Sequence, residues 1–179
     1  MNGIIEGGFD MSEFNIINIE ELNRSTCKMI GKEWMLITAA KNGKVNTMTA
    51  SWGGLGVMWG KNVAFIVIRP QRYTKEFVDS SDTLSLSFFN EDKKKILSYL
   101  GTVSGRDEDK IEKSGLTVEF DGDTPYFGEA ETVIEVKKLY HQELKPECML
   151  DGEIDTKWYP DKDYHTMYIC EIEKVMVRQ

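Results

Sequence analysis

Only three cysteines occur in the 179 residues, Cys27, Cys148 and Cys170, and their wide spacing includes no Cys-x-x-Cys pair. A disulfide framework and a zinc site are therefore both unsupported, and a reducing cytoplasm is the expected setting. Histidine is scarcer still: His141 and His165 are the only two, and neither has an acidic residue or cysteine at a metal-ligand spacing such as HExxH, so no metal is expected. Basic residues number 22 against 30 acidic ones, a formal net charge of −8. A phosphate-backbone binder needs a positive field, so nucleic acid is not expected as a partner. Long apolar runs are missing too. The longest, Val63 to Ile68, has the length of a strand and falls far short of the ~20 residues of a membrane helix. No GxSxG elbow surrounds a serine, and Ser51 runs straight into Trp52 and Gly53, which leaves a hydrolase nucleophile without support. Residues 1–10 lack the basic start and apolar stretch of a secretory signal. They read as an N-terminal extension to a single domain over residues 11–179.

What is present fits one soluble globular domain, with 41% hydrophobic and 29% charged residues. Six runs rich in β-branched and aromatic residues predict strands: Trp34 to Ala40, Val45 to Ser51, Val63 to Ile68, Thr83 to Phe89, Thr132 to Tyr140 and Met167 to Val177. Asn42-Gly43 between the first two can take positive φ and close a tight hairpin. Short helices are expected over Ile19 to Asn23, Thr74 to Ser80, Asp92 to Leu100 and Asp107 to Ser114. Gly101 and Gly115 would stop the last two, and Lys93, Lys94 and Lys95 would point outward. This order excludes a regular βαβ alternation. The expected class is mainly β, a barrel with peripheral helices.

The stretch Gly53-Gly54-Leu55-Gly56-Val57-Met58-Trp59-Gly60-Lys61 fails as a phosphate loop. A dinucleotide fingerprint needs glycine where Trp59 stands, and a P-loop needs glycine at Leu55 and a hydroxyl at Asn62. A glycine-permitted bend between strands is the plainer expectation. Three other segments combine hydroxyls, backbone and cations as an anionic cofactor would require. Asn46 to Gly53, with Met48, Thr49, Ala50, Ser51 and Trp52, runs a polar strand into glycine, though it reads equally as an edge strand with Trp52 in the core. Arg69-Pro70-Gln71-Arg72-Tyr73-Thr74 opens a helix and offers amides and guanidinium groups to a phosphate; alone, its arginines read as surface ion-pairing residues. Ser104-Gly105-Arg106-Asp107 leads into Lys110. Ser104 there is spaced as an N-cap, while Arg106 and Lys110 stand one helical turn apart and could reach one anion.

Taken together, NTMTASWGGLG, IRPQRYT, LSLSFF, GTVSGRDEDK and YHTMYICEIEKV resemble the flavin reductase-like, or flavoredoxin-type, family, in order as well as in content. The resemblance runs from about Ile19 to the C-terminus. It implies a Greek-key split β-barrel, a homodimer, and FMN bound noncovalently near the subunit interface. By position, Thr49, Ala50, Ser51 and Trp52 would line the isoalloxazine, with Met48 beside them. Arg72, Tyr73 and Thr74 would hold the phosphate, with Arg69 close by, while Ser87 and Phe88 would flank the cofactor. Ser104 and Lys110 would add polar contacts. Many relatives carry cysteine where this chain has Leu100, so no thiol role follows there. The implied activity is hydride transfer from NAD(P)H to flavin N5, with no catalytic protein residue. The alternative is an electron carrier that keeps FMN and trades electrons with a partner protein. A monooxygenase supplied with reduced flavin is another possible partner. The final strand, with Tyr168, Cys170, Ile172 and Lys174 alternating, is a candidate to pair or pack across the dimer axis.

Overall fold

The computed structural model describes residues 13–179, so the expected extension over residues 1–10 lies outside the described residues. Asn42 and Gly43 take φ of 50° and 74°, the paired positive angles that suit a two-residue hairpin to the twist of its strands. They join β2 (Met35–Lys41) to β3 (Lys44–Ala50). A second hairpin repeats the device: Trp59 and Gly60, at φ 54° and 70°, join β4 (Gly53–Met58) to β5 (Lys61–Ile68). The glycine stretch expected to bend is thus a strand, in register with β5 from Gly53↔Ile66 to Met58↔Lys61. Ladder hydrogen bonds outweigh the poor strand propensity of its three glycines. Gly53 is required for another reason. At φ 145°, a Cβ there would lie 2.4 Å from the Phe65 carbonyl oxygen, so only glycine admits this close approach.

The chain continues through α2 (Thr74–Ser80), β6 (Thr83–Phe88), α3 (Lys94–Thr102), α4 (Lys110–Ser114), β7 (Val118–Asp121), β8 (Thr124–Phe127), β9 (Thr132–Glu143), α5 (Gly152–Trp158) and β10 (Thr166–Arg178). Before β2 come β1 (Phe14–Ile17), a 3-10 turn at Ile19–Glu21 and α1 (Thr26–Lys28). The main sheet runs β3-β2-β6-β9-β10-β5-β4 with β1 added to β10, and its pairings are antiparallel. Its two edge strands, β3 and β4, are consecutive in sequence and joined by only Ser51 and Trp52. Laid flat, seven strands would separate those edges by roughly 29 Å, whereas the link from Ala50 to Gly53 reaches at most about 11 Å. The sheet must therefore roll into a barrel whose seam lies between β3 and β4. This is the split, Greek-key barrel expected from the sequence.

Leu84, Leu86, Ile66, Ile68, Ile134 and Val136 fill the interior, and a second cluster packs α3 through Leu97 and Leu100 against Phe127 and Phe89. No helix among the described residues is long and apolar enough to cross a membrane.

Several local expectations change. The first helix shrinks to a 3-10 turn capped by Asn18. In α3 the helix runs through Gly101 to Thr102 and is capped by Val103. Gly101 is explained instead by packing, because a Cβ there would stand 3.0 Å from Thr49 Cβ. Lys94 does not point to solvent: its ammonium sits 3.2 Å from the centroid of the Trp34 ring. α4 starts three residues late, capped by Asp109, and Ser104 accepts the Arg106 amide in a turn before it. Tyr168 and Cys170 are 1% and 0% exposed in the core, and β10 is paired on both sides. Tyr168 and Cys170 of that face therefore pack into the barrel interior, while Ile172 and Lys174 farther along it stay partly exposed. Strands β1, β7 and β8, and helix α5, carried no predicted element.

Candidate functional site

At the seam, the end of β3 and its two-residue link meet the end of β5, and their side chains surround a cavity of about 510 Å³. Met48, Thr49, Ala50, Ser51 and Trp52 form one wall; Val67, Arg69, Gln71 and Arg72 form the next, and Trp158 and His165 close the third. The last two arrive from the far end of the sequence because β10 begins beside the end of β5, with Thr166 opposite Ile68.

Arg72 is fixed by the carbonyl ends of its neighbours. Its guanidinium donates to the Gly101 carbonyl at 2.6 Å and to the Thr49 carbonyl at 3.3 Å, and no carboxylate among the described residues pairs with it. Burial, and then the adjacent Arg69, lower its pKa, yet a guanidinium stays charged in proteins. The cavity thus holds a cation anchored by neutral acceptors. Arg69 is engaged differently. It pairs with Asp163, donates to the Trp158 carbonyl at 2.8 Å and lies over the Tyr159 ring at 5.2 Å. Its charge is met within the protein.

Thr49 donates its hydroxyl to the Leu97 carbonyl of α3, which locks that strand end to the helix. Trp52 is 37% exposed, a wall of the cavity and not the core residue of the alternative reading. Its ring meets Trp158 edge-on at 5.0 Å and His165 at 5.1 Å. His165 bonds the Tyr159 hydroxyl through Nδ1 at 2.9 Å. Burial, with the nearby Arg69, pushes its pKa down to about 4, so it is uncharged at neutral pH.

Of the residues singled out from sequence, Met48, Thr49, Ala50, Ser51, Trp52, Arg69 and Arg72 come together here. The others do not line this cavity. Thr74 is buried and accepts from Asn46 Nδ2 at 3.0 Å. Tyr73 packs edge-on against Phe77 at 5.0 Å, with Arg106 over its ring at 4.5 Å. Ser87 and Phe88 are fully buried; their strand lies between β2 and β9, away from the seam. Lys110 is 3% exposed and donates to the Leu100 and Val103 carbonyls, while Arg106 pairs with Glu76. These two cations therefore serve separate partners instead of one anion. Burial, with Arg72 adding a like charge, lowers Lys110 to about 8.

Val67, Gln71, Trp158 and His165 were missed. The pairing of β5 with β10 would have pointed to His165, since it immediately precedes the last strand; Trp158 sits in a charged segment with no periodic signal.

Residues 28–179 match the family described as flavin reductase-like domain. The chain belongs to the flavin reductase-like family. Among solved structures, an FMN-binding domain of a flavin reductase-like enzyme from Shewanella baltica superposes with a TM-score of 0.68 at 15% identity, over 92% of this chain and 77% of that one. Flavoredoxin from Desulfovibrio vulgaris gives 0.65 at 21% identity, over 91% and 78%. Flavin reductase PheA2 gives 0.57 at 18% identity, over 82% and 80%. At these identities the likeness establishes the fold. No curated protein is significantly similar in sequence.

Proposed function

We propose that this flavin reductase-like chain binds FMN noncovalently in the seam cavity, as a homodimer, and catalyses its reduction by NADH or NADPH. One observation carries the reading: Arg72, a cation without a carboxylate, stands in the same cavity as the Trp52 wall. That combination suits a molecule with a flat ring at one end and a phosphate at the other. The volume falls within the range of cofactor sites, roughly 300–1,000 Å³. The residues present fit the group.

When bound, the flavin supplies the chemistry, accepting hydride at N5 from the nicotinamide. The chain's residues bind and orient. Arg72 holds the phosphate, and the Ser51 hydroxyl, which has no protein partner among the described residues, is free to bond the ring edge. Trp52 gives an apolar face. His165, uncharged, adds a polar group without a third positive charge beside Arg69 and Arg72. Direct hydride transfer needs no protein proton donor, in keeping with a cavity wall that contains no acid–base pair.

The test is the visible spectrum of the purified protein, followed by anaerobic titration with NADH and then NADPH. Flavin absorbance that bleaches on the turnover timescale supports the reductase. A yellow protein bleached by neither nucleotide is an electron carrier. If the protein stays colourless after FMN is added, the cavity assignment is wrong. Sedimentation reads the dimer.

A further inference from the structure

The segment from Lys145 to Tyr164 leaves the barrel after β9 and crosses to the cavity mouth before β10 begins. Its first half makes little contact with the body: Leu150 is 102% exposed and Ile154 41%. Its second half is tied down. Tyr159 and Tyr164 are buried, Tyr164 donates to Asp155 at 2.7 Å, and the Tyr159 hydroxyl bonds His165. The tether to the barrel rim is Arg69 at the end of β5, which grips Asp163 and the Trp158 carbonyl together. Gln71 adds a bond to the same Asp163 carboxylate at 2.7 Å. Trp158 is thereby held over the cavity, edge-on to Trp52 and 43% exposed.

We propose that Trp158 is the residue that retains a bound flavin, and that Arg69 and Asp163 are positioning residues that hold this indole across the cavity mouth. The inference rests on the flavin-binding reading above and names what controls residence in that site. A ring entering the cavity meets the corner that the two indoles form where they touch edge-on. Leaving requires Trp158 to move away with its segment, and Arg69, which holds the Trp158 carbonyl and Asp163, resists that movement of the backbone. Whether flavin behaves as a fixed group or as an exchanging one is therefore set by this strap, while Arg72 sets affinity for the phosphate. The two roles separate by ligand: Trp158 acts on FMN and riboflavin alike because it faces the ring.

The experiment measures association and release of FMN and of riboflavin by stopped-flow flavin fluorescence, in the full chain and in Trp158→Ala, Trp158→Phe and Asp163→Ala. An aromatic contact adds to the area it buries, so with both lost, release from Trp158→Ala is expected to be about tenfold faster for both ligands. Association should be no slower, Trp158→Phe should recover most of the retention, and Asp163→Ala should quicken release in the same direction. Bound-flavin fluorescence should rise in Trp158→Ala, since an indole beside the ring quenches it. Release and fluorescence unchanged in both alanine variants would overturn the proposal. A wild-type chain that binds neither ligand would overturn the flavin reading itself, and this inference with it. That result is distinct from tight binding that is insensitive to Trp158.

Discussion

Replacing Arg72 with methionine keeps an unbranched apolar stem and removes the guanidinium with its charge. A guanidinium has five N–H donors; bonds to the Gly101 and Thr49 carbonyls use two, which leaves three for a ligand in the cavity that Arg72 lines. Each charge-assisted bond contributes ~1.5–3 kcal/mol, so loss of one should weaken FMN about 10- to 150-fold. Riboflavin has no phosphate and should keep its affinity within about twofold. Calorimetric or fluorescence titration of both ligands at two salt concentrations reads this directly. FMN binding by the wild type should weaken with salt, and binding by the variant should weaken less. Two backbone carbonyls also lose a partner, which can cost about 1–3 kcal/mol of stability, so thermal midpoints must accompany the titrations. Equal losses for FMN and riboflavin would mean that Arg72 acts through the fold, and unchanged FMN affinity would place the phosphate elsewhere.

His165, with its pKa lowered to about 4, binds its proton less readily when folded than when unfolded. Its contribution to stability is complete above about pH 6.5 and falls away as pH drops toward 4; the difference between wild-type and His165→Gln urea midpoints should shrink across that window. Glu135 has the opposite sign. Burial, then the like charge of Glu173, push it up to about 7, so its contribution is full below about pH 4.5 and lost as pH rises through 7. Glu135→Gln should gain on wild type over that range in the same unfolding assay, and a parallel pair of curves would refute the assignment. Gly53→Ala forces a Cβ onto the Phe65 carbonyl at φ 145°. A loss of at least ~1–3 kcal/mol in denaturant unfolding is expected, together with weaker flavin binding through the displaced Trp52.

Much of the barrel was legible because its signals are local. Asn42-Gly43 dictates a turn whatever surrounds it, and the run Val63 to Ile68 has one plausible use. Helix α2 lies where it was expected, Thr74 to Ser80. The wall from Met48 to Trp52 and the pair Arg69 and Arg72 were equally readable, since each group lies within one short segment. What escaped depends on neighbours. Gly53 to Met58 is a strand only because β5 lies beside it, and Gly101 is fixed by Thr49 rather than by the end of its helix. Thr74 and Lys110 carry the right chemistry, but their hydrogen bonds are satisfied inside the protein. Trp158 and His165 join the site through the β5–β10 pairing, across most of the chain.

That separation has a consequence for biosynthesis. Two walls of the cavity emerge from the ribosome by Arg72, but the third, Trp158 to His165, follows some 86 residues later. Until the C-terminal strand docks beside β5, a nascent chain has the cation and one indole but no closed mouth. On the flavin-binding reading, loading would therefore follow completion of the chain, and a chain shortened before Gly152 should hold flavin more weakly even if the earlier hairpins had formed.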